Sequence, residues 1–202
     1  MKIVIAGAGE VGTHLAKMLS QENQDIILMD PNEERLKFTN NMEVLAMVGN
    51  PTSLKDLQES GVKDADLFIS VTPEEPTNIT ACMLAHSLGA HKTLARINNY
   101  EYLQPKNIEF FQKLGISSMI YPEMLAAREI VTAVQRPWAR QYWELFGGAL
   151  ILIGVKVRDN APIVNKRLTD LSLDQKLYHI VAIKRCNETI IPRGTDHIAS
   201  GD

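Results

Sequence analysis

Cysteine is too scarce in this chain to build a disulfide scaffold or a cysteine zinc centre. Its two cysteines, Cys82 and Cys186, stand far apart and outside any C-x-x-C pair. Both read as buried thiols of a reducing compartment. Long apolar runs are missing too: "GALILIGV" falls well short of the roughly 20 residues that span a bilayer. The first residues enter a strand at once, with no charged region and apolar core of a signal peptide, so a cytosolic location is expected. Charge of one sign is not in excess. With 21 basic against 24 acidic residues and a net charge of -3, no footprint for nucleic acid is present. No Lys/Arg-rich recognition helix is visible either, which sets aside a DNA-reading regulator. Catalytic signatures are also lacking, with no G-x-S-x-G elbow and no Y-x-x-x-K pair. Of the five histidines, His14 and His86 fall within expected helices, His91 lies beside a turn, and His179 and His197 lie near the C-terminus. None stands at the carboxyl end of an expected strand with an acid close by, so a dehydrogenase would lack a visible proton carrier.

What is present is a core and a rhythm. The chain is 45% hydrophobic and 22% charged, ordinary for a globular protein. Short apolar runs, "KIVIAG", "DIILMD", "EVLAMVG", "DLFISV", "KTLARIN" and "SSMIYP", read as six strands. Between them lie helical segments, among them "PNEERLKFTNN", "TSLKDLQESG", "TNITACMLAHSLG" and "YLQPKNIEFFQKLG". In the helix that follows "KIVIAG", Val11, Leu15, Met18 and Leu19 recur at helical spacing. Alternation of this kind predicts an α/β fold, a doubly wound parallel sheet of Rossmann type, over residues 1–122.

After Pro122 the pattern changes. "EMLAAREIVTAVQ" reads as a helix broken by "RP" at 136–137. Next come Trp138, Tyr142, Trp143 and Phe146, four of the chain's twelve aromatic residues. Their spacing predicts one face of a second helix, so residues 123–147 read as a crossover helix–turn–helix. That aromatic face needs cover, from a partner subunit or from the chain's own sheet. Residues 148–202 read as a small α+β module. Its expected strands are "ALILIGVKV", "YHIVAIKRC" and "TIIPRG", with "NKRLTDLSLD" as a short helix and "NE" as a two-residue turn.

The first twelve residues carry the chemistry. Gly7, Gly9 and Gly12 form G-x-G-x-x-G between an expected strand and helix, so the loop Gly7, Ala8, Gly9, Glu10, Val11 and Gly12 is a candidate phosphate cradle. The first glycine permits the turn, the second lets a pyrophosphate approach, and the third lets helix and strand pack closely. Helix N–H groups and the helix dipole then face the phosphates. Asp30 ends the second strand, where a carboxylate can bridge ribose hydroxyls and repel a 2′-phosphate. This favours NAD(H); ATP and ADP carry the same ribose and fit the same reading. Glu10 argues mildly against extra phosphate charge. Asn50 and Thr52 after the third strand, and Thr72 and Pro73 after the fourth, are candidate ligand contacts or turn caps. Arg96, in the fifth strand, calls for a phosphate partner or for a salt bridge to a nearby acid.

On "MKIVIAGAGEVG", "DIILMD", "VTPEEPTNITACMLAHSLGA", "ARINNYEYL" and "IYPEMLAAREI" the chain resembles the RCK (KTN) nucleotide-binding domains that regulate potassium conductance. "APIVNKRLTDLS" and "VAIKRCNETIIPRGTDHIASGD" resemble the C-terminal module that follows them. The pairing is similar to the first half of the peripheral NAD-binding subunits of bacterial Trk potassium uptake systems. The resemblance implies a non-enzymatic gating subunit that assembles as dimers or rings on the cytoplasmic face of a potassium channel or transporter, gripping its neighbour through the crossover. A small NAD-dependent oxidoreductase is the alternative. The resemblance also implies a second half and one further strand after "TDHIASGD", so a fragment is expected. Asn50 stands where many relatives have Asp, which would lower the negative charge near the ligand.

Overall fold

The six apolar runs do pair as one sheet. The computed structural model describes residues 1–37, 39, 43–171 and 178–202, and the contacts divide the chain into two compact units, Met1–Ala127 and Arg128–Asp202.

In the first unit, β1 (Lys2–Ala6), β2 (Asp25–Asp30), β3 (Leu45–Val48), β4 (Leu67–Ser70), β5 (Lys92–Arg96) and β6 (Ser118–Ile120) lie in the order β3-β2-β1-β4-β5-β6. Every neighbouring pair is parallel. The crossovers run through α1 (Glu10–Ser20), α2 (Glu33–Leu36), α3 (Leu54–Glu59), α4 (Glu75–Leu88) and α5 (Pro105–Lys113). Because helices cover both faces, the central strands are apolar at successive positions instead of alternating. In β1, Ile3 and Ile5 pack with Ile26, Leu28 and Ala16 on one face. Val4 and Ala6 pack with Leu57, Phe68 and Ala81 on the other. Cys82 lies in this second layer, and burial pushes its thiol up to about 12. The segment expected as a helix over "PNEERLKFTNN" forms α2, which Asn32 caps by accepting the Glu34 N–H at 3.0 Å. The rest of that segment includes residues 38, 40 and 41, which lie outside the described residues.

α6 (Pro122–Gln135) begins in the first unit and its sequence continues into the second. The second unit departs from expectation at the aromatic cluster. Where a second helix is expected after α6, residues Gln141–Leu145 form β7, antiparallel to β8 (Leu150–Gly154). Tyr142 faces Ile153 and Trp143 faces Leu152 across the ladder. Helical spacing of the four aromatics was a coincidence of a period-two strand flanked by turn residues: Tyr142 and Trp143 point to opposite faces. The turn between the strands demands unusual backbone, with φ of 52° at Phe146, 65° at Gly147 and 92° at Gly148. Two adjacent glycines supply it where a helix would have needed a continuous run of formers.

The rest of the unit is a small module with a second hairpin, β9 (Ile183–Arg185) and β10 (Glu188–Ile190). Its turn is Cys186–Asn187, one residue before the expected "NE", and Cys186 takes a positive φ of 53°. Cys186 is therefore exposed, not the buried thiol expected from composition. The expected helix over "NKRLTDLSLD" is a single 3-10 turn at Leu168–Asp170, and residues 172–174 lie outside the described residues. Arg185 clamps the end of the chain: its Nε and Nη2 donate to Asp202 Oδ1 and Oδ2 at 2.9 and 2.7 Å.

Candidate nucleotide-binding site

The sheet order reverses between β1 and β4, which opens a crevice beyond the carboxyl ends of the strands. The glycine loop enters that crevice from β1. Gly7 adopts φ +105°, and a Cβ there would lie 3.0 Å from the Thr72 backbone nitrogen, so the loop after β1 presses against the loop after β4. The Gly7 N–H donates to Met29 O at 2.8 Å, which closes the turn against β2. At Gly12 a Cβ would fall 1.8 Å from Gly7 O, so only glycine lets the helix sit this close to the loop. Gly9 differs from both. It is the N-cap of α1, offers no side-chain cap, and a Cβ there would meet nothing within 4 Å. The N–H groups of Gly9, Glu10, Val11 and Gly12 have no acceptor among the described residues. Four orphan donors beside open space suit an anion. Glu10 and Val11 both project to solvent on the first turn.

Asp30 is 2% exposed at the end of β2. Its Oδ2 accepts the Ala8 N–H and its Oδ1 accepts the Asn32 N–H, each at 2.8 Å. One carboxylate thus ties the glycine loop to the turn that starts α2. Arg35 Nη1 stands 3.8 Å from the same Oδ2.

The polar residues after β3 and β4 divide by role. Asn50 Oδ1 accepts the Thr52 N–H at 2.9 Å and the Thr52 hydroxyl at 2.8 Å. The Asn50 N–H donates to Asp56 Oδ2 at 2.7 Å. This is an Asx-type turn that leads into α3 and its Ser53 cap. Thr72 is fixed by a residue that sequence reasoning passed over, Asn78 of α4. Buried to 1% exposure, Asn78 accepts through Oδ1 from Ser70 Oγ, the Thr72 N–H and Thr72 Oγ1 at 2.9, 2.8 and 2.8 Å. Its Nδ2 donates to Thr72 O and to Arg96 O, both at 2.9 Å. The signal was there to be seen: one amide on the buried stripe of "TNITACMLA" must find partners. Pro73 lies exposed on the same loop. Glu75, also overlooked, accepts the Asn98 and Asn99 N–H groups at 2.7 and 2.8 Å and so anchors the loop after β5.

Arg96 has the carboxylate partner that was one of its two expected fates. Its Nη2 lies 2.5 Å from Glu123 Oε1 on the first turn of α6. Glu123's own backbone N–H, helped by this guanidinium, holds its carboxyl below the ordinary value. The structure therefore gathers Gly7, Gly9, Gly12, Asp30 and Thr72 around one crevice and sets Asn50, Thr52 and Arg96 at strand ends along the same edge. Two of the histidines have partners other than Asp30 and the loop glycines. His14 Nδ1 pairs with Glu10 O on α1, and His91 lies 3.7 Å from Asp66. Among the described residues no three metal-binding side chains cluster.

A doubly wound sheet with a glycine loop at its switch point and an acid closing β2 defines a domain of Rossmann type. The chain belongs to the TrkA family: residues 3–122 match the TrkA-N domain and residues 152–202 the TrkA-C domain. It is 33% identical over 202 residues to the Trk system potassium uptake protein TrkA homolog of Archaeoglobus fulgidus, covering 100% of this chain and 46% of that protein. It is 34% identical over 195 residues to the homolog of Methanothermobacter thermautotrophicus, covering 96% and 87%. The chain thus spans about half the length of most of the curated relatives it matches. Among solved structures, the TrkA-N domain of the Escherichia coli inner membrane protein ybaL superposes with TM-score 0.58 at 16% identity, covering 66% of this chain and 96% of that one. The GsuK channel does so with TM-score 0.67 at 15% identity, covering 98% and 35%. The GsuK channel bound to NAD gives TM-score 0.62 at 16% identity, covering 99% and 36%. These similarities define the fold.

Proposed function

We propose that this chain is a nucleotide-sensing regulatory unit of a potassium uptake system, and that it binds its nucleotide without transforming it. The observation that carries this is the open Gly9 position, the N–H groups of Gly9 to Gly12 without an acceptor among the described residues, and Asp30 at the end of β2. That arrangement cradles a phosphate and reads a ribose. NAD(H) is the first candidate ligand because a carboxylate addresses both ribose hydroxyls; ATP and ADP share that ribose. Support comes from the family itself, whose curated relatives carry potassium-uptake names, and from a neighbour of this fold bound to NAD.

The rest of the reading follows. The nucleotide-binding domain is residues 1–122, the crossover 123–147 and the regulatory module 148–202, with α6 as the crossover's one helix. Trp138, Trp143 and Phe146 are 58%, 45% and 84% exposed. With Tyr142 on the other face of β7, they leave aromatic side chains on both sides of the hairpin for contact with another subunit, so the chain works as a homo-oligomer on the cytoplasmic face of a potassium-transporting membrane subunit. No helix among the described residues is long and apolar enough to cross a membrane. Ligand drives the system only by its preference for one arrangement of subunits. A tenfold preference is worth about 1.4 kcal/mol, so several coupled sites are needed for a firm switch.

The test is a binding panel of NAD⁺, NADH, ATP and ADP on the wild type and on Asp30→Ala. We expect at least about tenfold weaker binding in the variant, roughly 1.4 kcal/mol or more. Unchanged affinity for every nucleotide sinks the site assignment. Consumption of NADH in the presence of carbonyl compounds would instead favour an oxidoreductase.

A further inference from the structure

The ribose end of the crevice carries a cation that the glycine cradle does not need. Arg35, in α2, holds Nη1 3.8 Å from Asp30 Oδ2. The Asp30 side chain is 3% exposed and that of Arg35 51%, so the cation is the part of the pair that meets solvent. Asp30 does not depend on Arg35 for its position, because both its oxygens already accept backbone N–H groups, from Ala8 and Asn32. Among the described residues Asp30 is the one carboxylate within salt-bridge range of Arg35, while the adjacent Glu34 is paired with Lys37.

We infer that Arg35 sets how strongly the site discriminates at the ribose 2′ position, and that it lets a 2′-phosphorylated adenine dinucleotide bind where Asp30 alone would repel it. The inference rests on the reading of this crevice as an adenine-nucleotide site. A lone carboxylate presents a net negative charge to a 2′-phosphate. A carboxylate with a guanidinium beside it presents nearly none. The guanidinium also has N–H donors beyond the one facing Asp30, arranged in a planar fork that suits phosphate oxygens. With its side chain 51% exposed, Arg35 has room to turn one edge toward the ligand while the other stays near Asp30. The site then reads the 2′ position with an ion pair, and its preference for NAD(H) over the phosphorylated form is shallow.

The experiment measures Kd for NADH and for NADPH on the intact chain, for the wild type, Arg35→Gln and Arg35→Lys. Arg35→Gln is expected to raise the NADPH-to-NADH ratio of Kd about tenfold while NADH itself changes less than about threefold. Arg35→Lys keeps the charge, and its ratio stays within about threefold of the wild type. A ratio unmoved in Arg35→Gln, an equal loss of both ligands, or a wild type that binds NADH with no detectable NADPH binding overturns the inference and leaves the nucleotide site standing. A wild type that binds neither dinucleotide overturns the inference, and the ATP and ADP arms of the binding panel then decide the site itself.

Discussion

Gly9 and Gly12 share a motif, yet their surroundings give them opposite sensitivities. A methyl on Gly12 would fall 1.8 Å from Gly7 O, so Gly12→Ala is expected to cost at least about 2 kcal/mol in urea denaturation. A methyl on Gly9 meets open space. Gly9→Ala should lose no more than about 1 kcal/mol, the loss of a favourable N-cap, while nucleotide affinity falls. If both variants lose stability alike, the open face at Gly9 is misread. Asn78 is a residue where stability and site are joined. Asn78→Ala leaves the Thr72 N–H and the Arg96 carbonyl without the partners they now have, and roughly 2–3 kcal/mol of stability should go with them. The two thiols differ as sharply. With Cys82 pushed up to about 12 by burial and Cys186 exposed in a hairpin turn, a maleimide at neutral pH should label Cys186 alone until the chain is unfolded. The glycine roles were legible because each follows from local geometry after a strand. The exposure of Cys186 was not, since its place in a turn depends on the register of β9 against β10.

At the scale of elements, α6 and the β7–β8 hairpin matter most. The ion pair between Arg96 and Glu123 ties the first turn of α6 to the end of β5. Glu123's folded carboxyl lies below its ordinary value of 4.5, so its contribution is present in full above that value. It is lost as pH falls through the lower folded value. Arg96→Ala should bring the Glu123 titration back toward 4.5 in a carboxyl NMR titration. A titration that does not move shows that the backbone N–H alone is responsible. The first unit's strands were readable because each is an apolar run between turn residues, and all six appear where the runs predict them. The aromatic cluster was misread because four residues spaced i, i+4, i+5 and i+8 satisfy a helix, and local spacing does not reveal a pairing partner. The decisive residues were the apolar Leu150–Ile153 opposite, together with a glycine turn that brings the two strands together.

For the whole molecule, the two units differ in how much they bury. The first has apolar layers on both faces of its sheet. The buried apolar residues described for the second are Ile183 and Ile198. A unit so thin in core should depend on association, and Trp143→Glu in β7 is expected to lower the mass of the assembly in light scattering without shifting NADH affinity more than about threefold. An unchanged mass removes the hairpin from the interface. Sequence alone determined that this chain builds a doubly wound sheet with a glycine loop after its first strand, because hydrophobic period, glycine and a strand-end acid act over a few residues. Tertiary structure decided what those residues touch. It engaged both Asp30 oxygens with backbone donors, set Arg35 over the carboxylate, gave Arg96 to Glu123, and made Asn78 the hub between two loops. Such partners lie up to 27 positions apart in the chain, and only the packing of strands side by side brings them within a hydrogen bond.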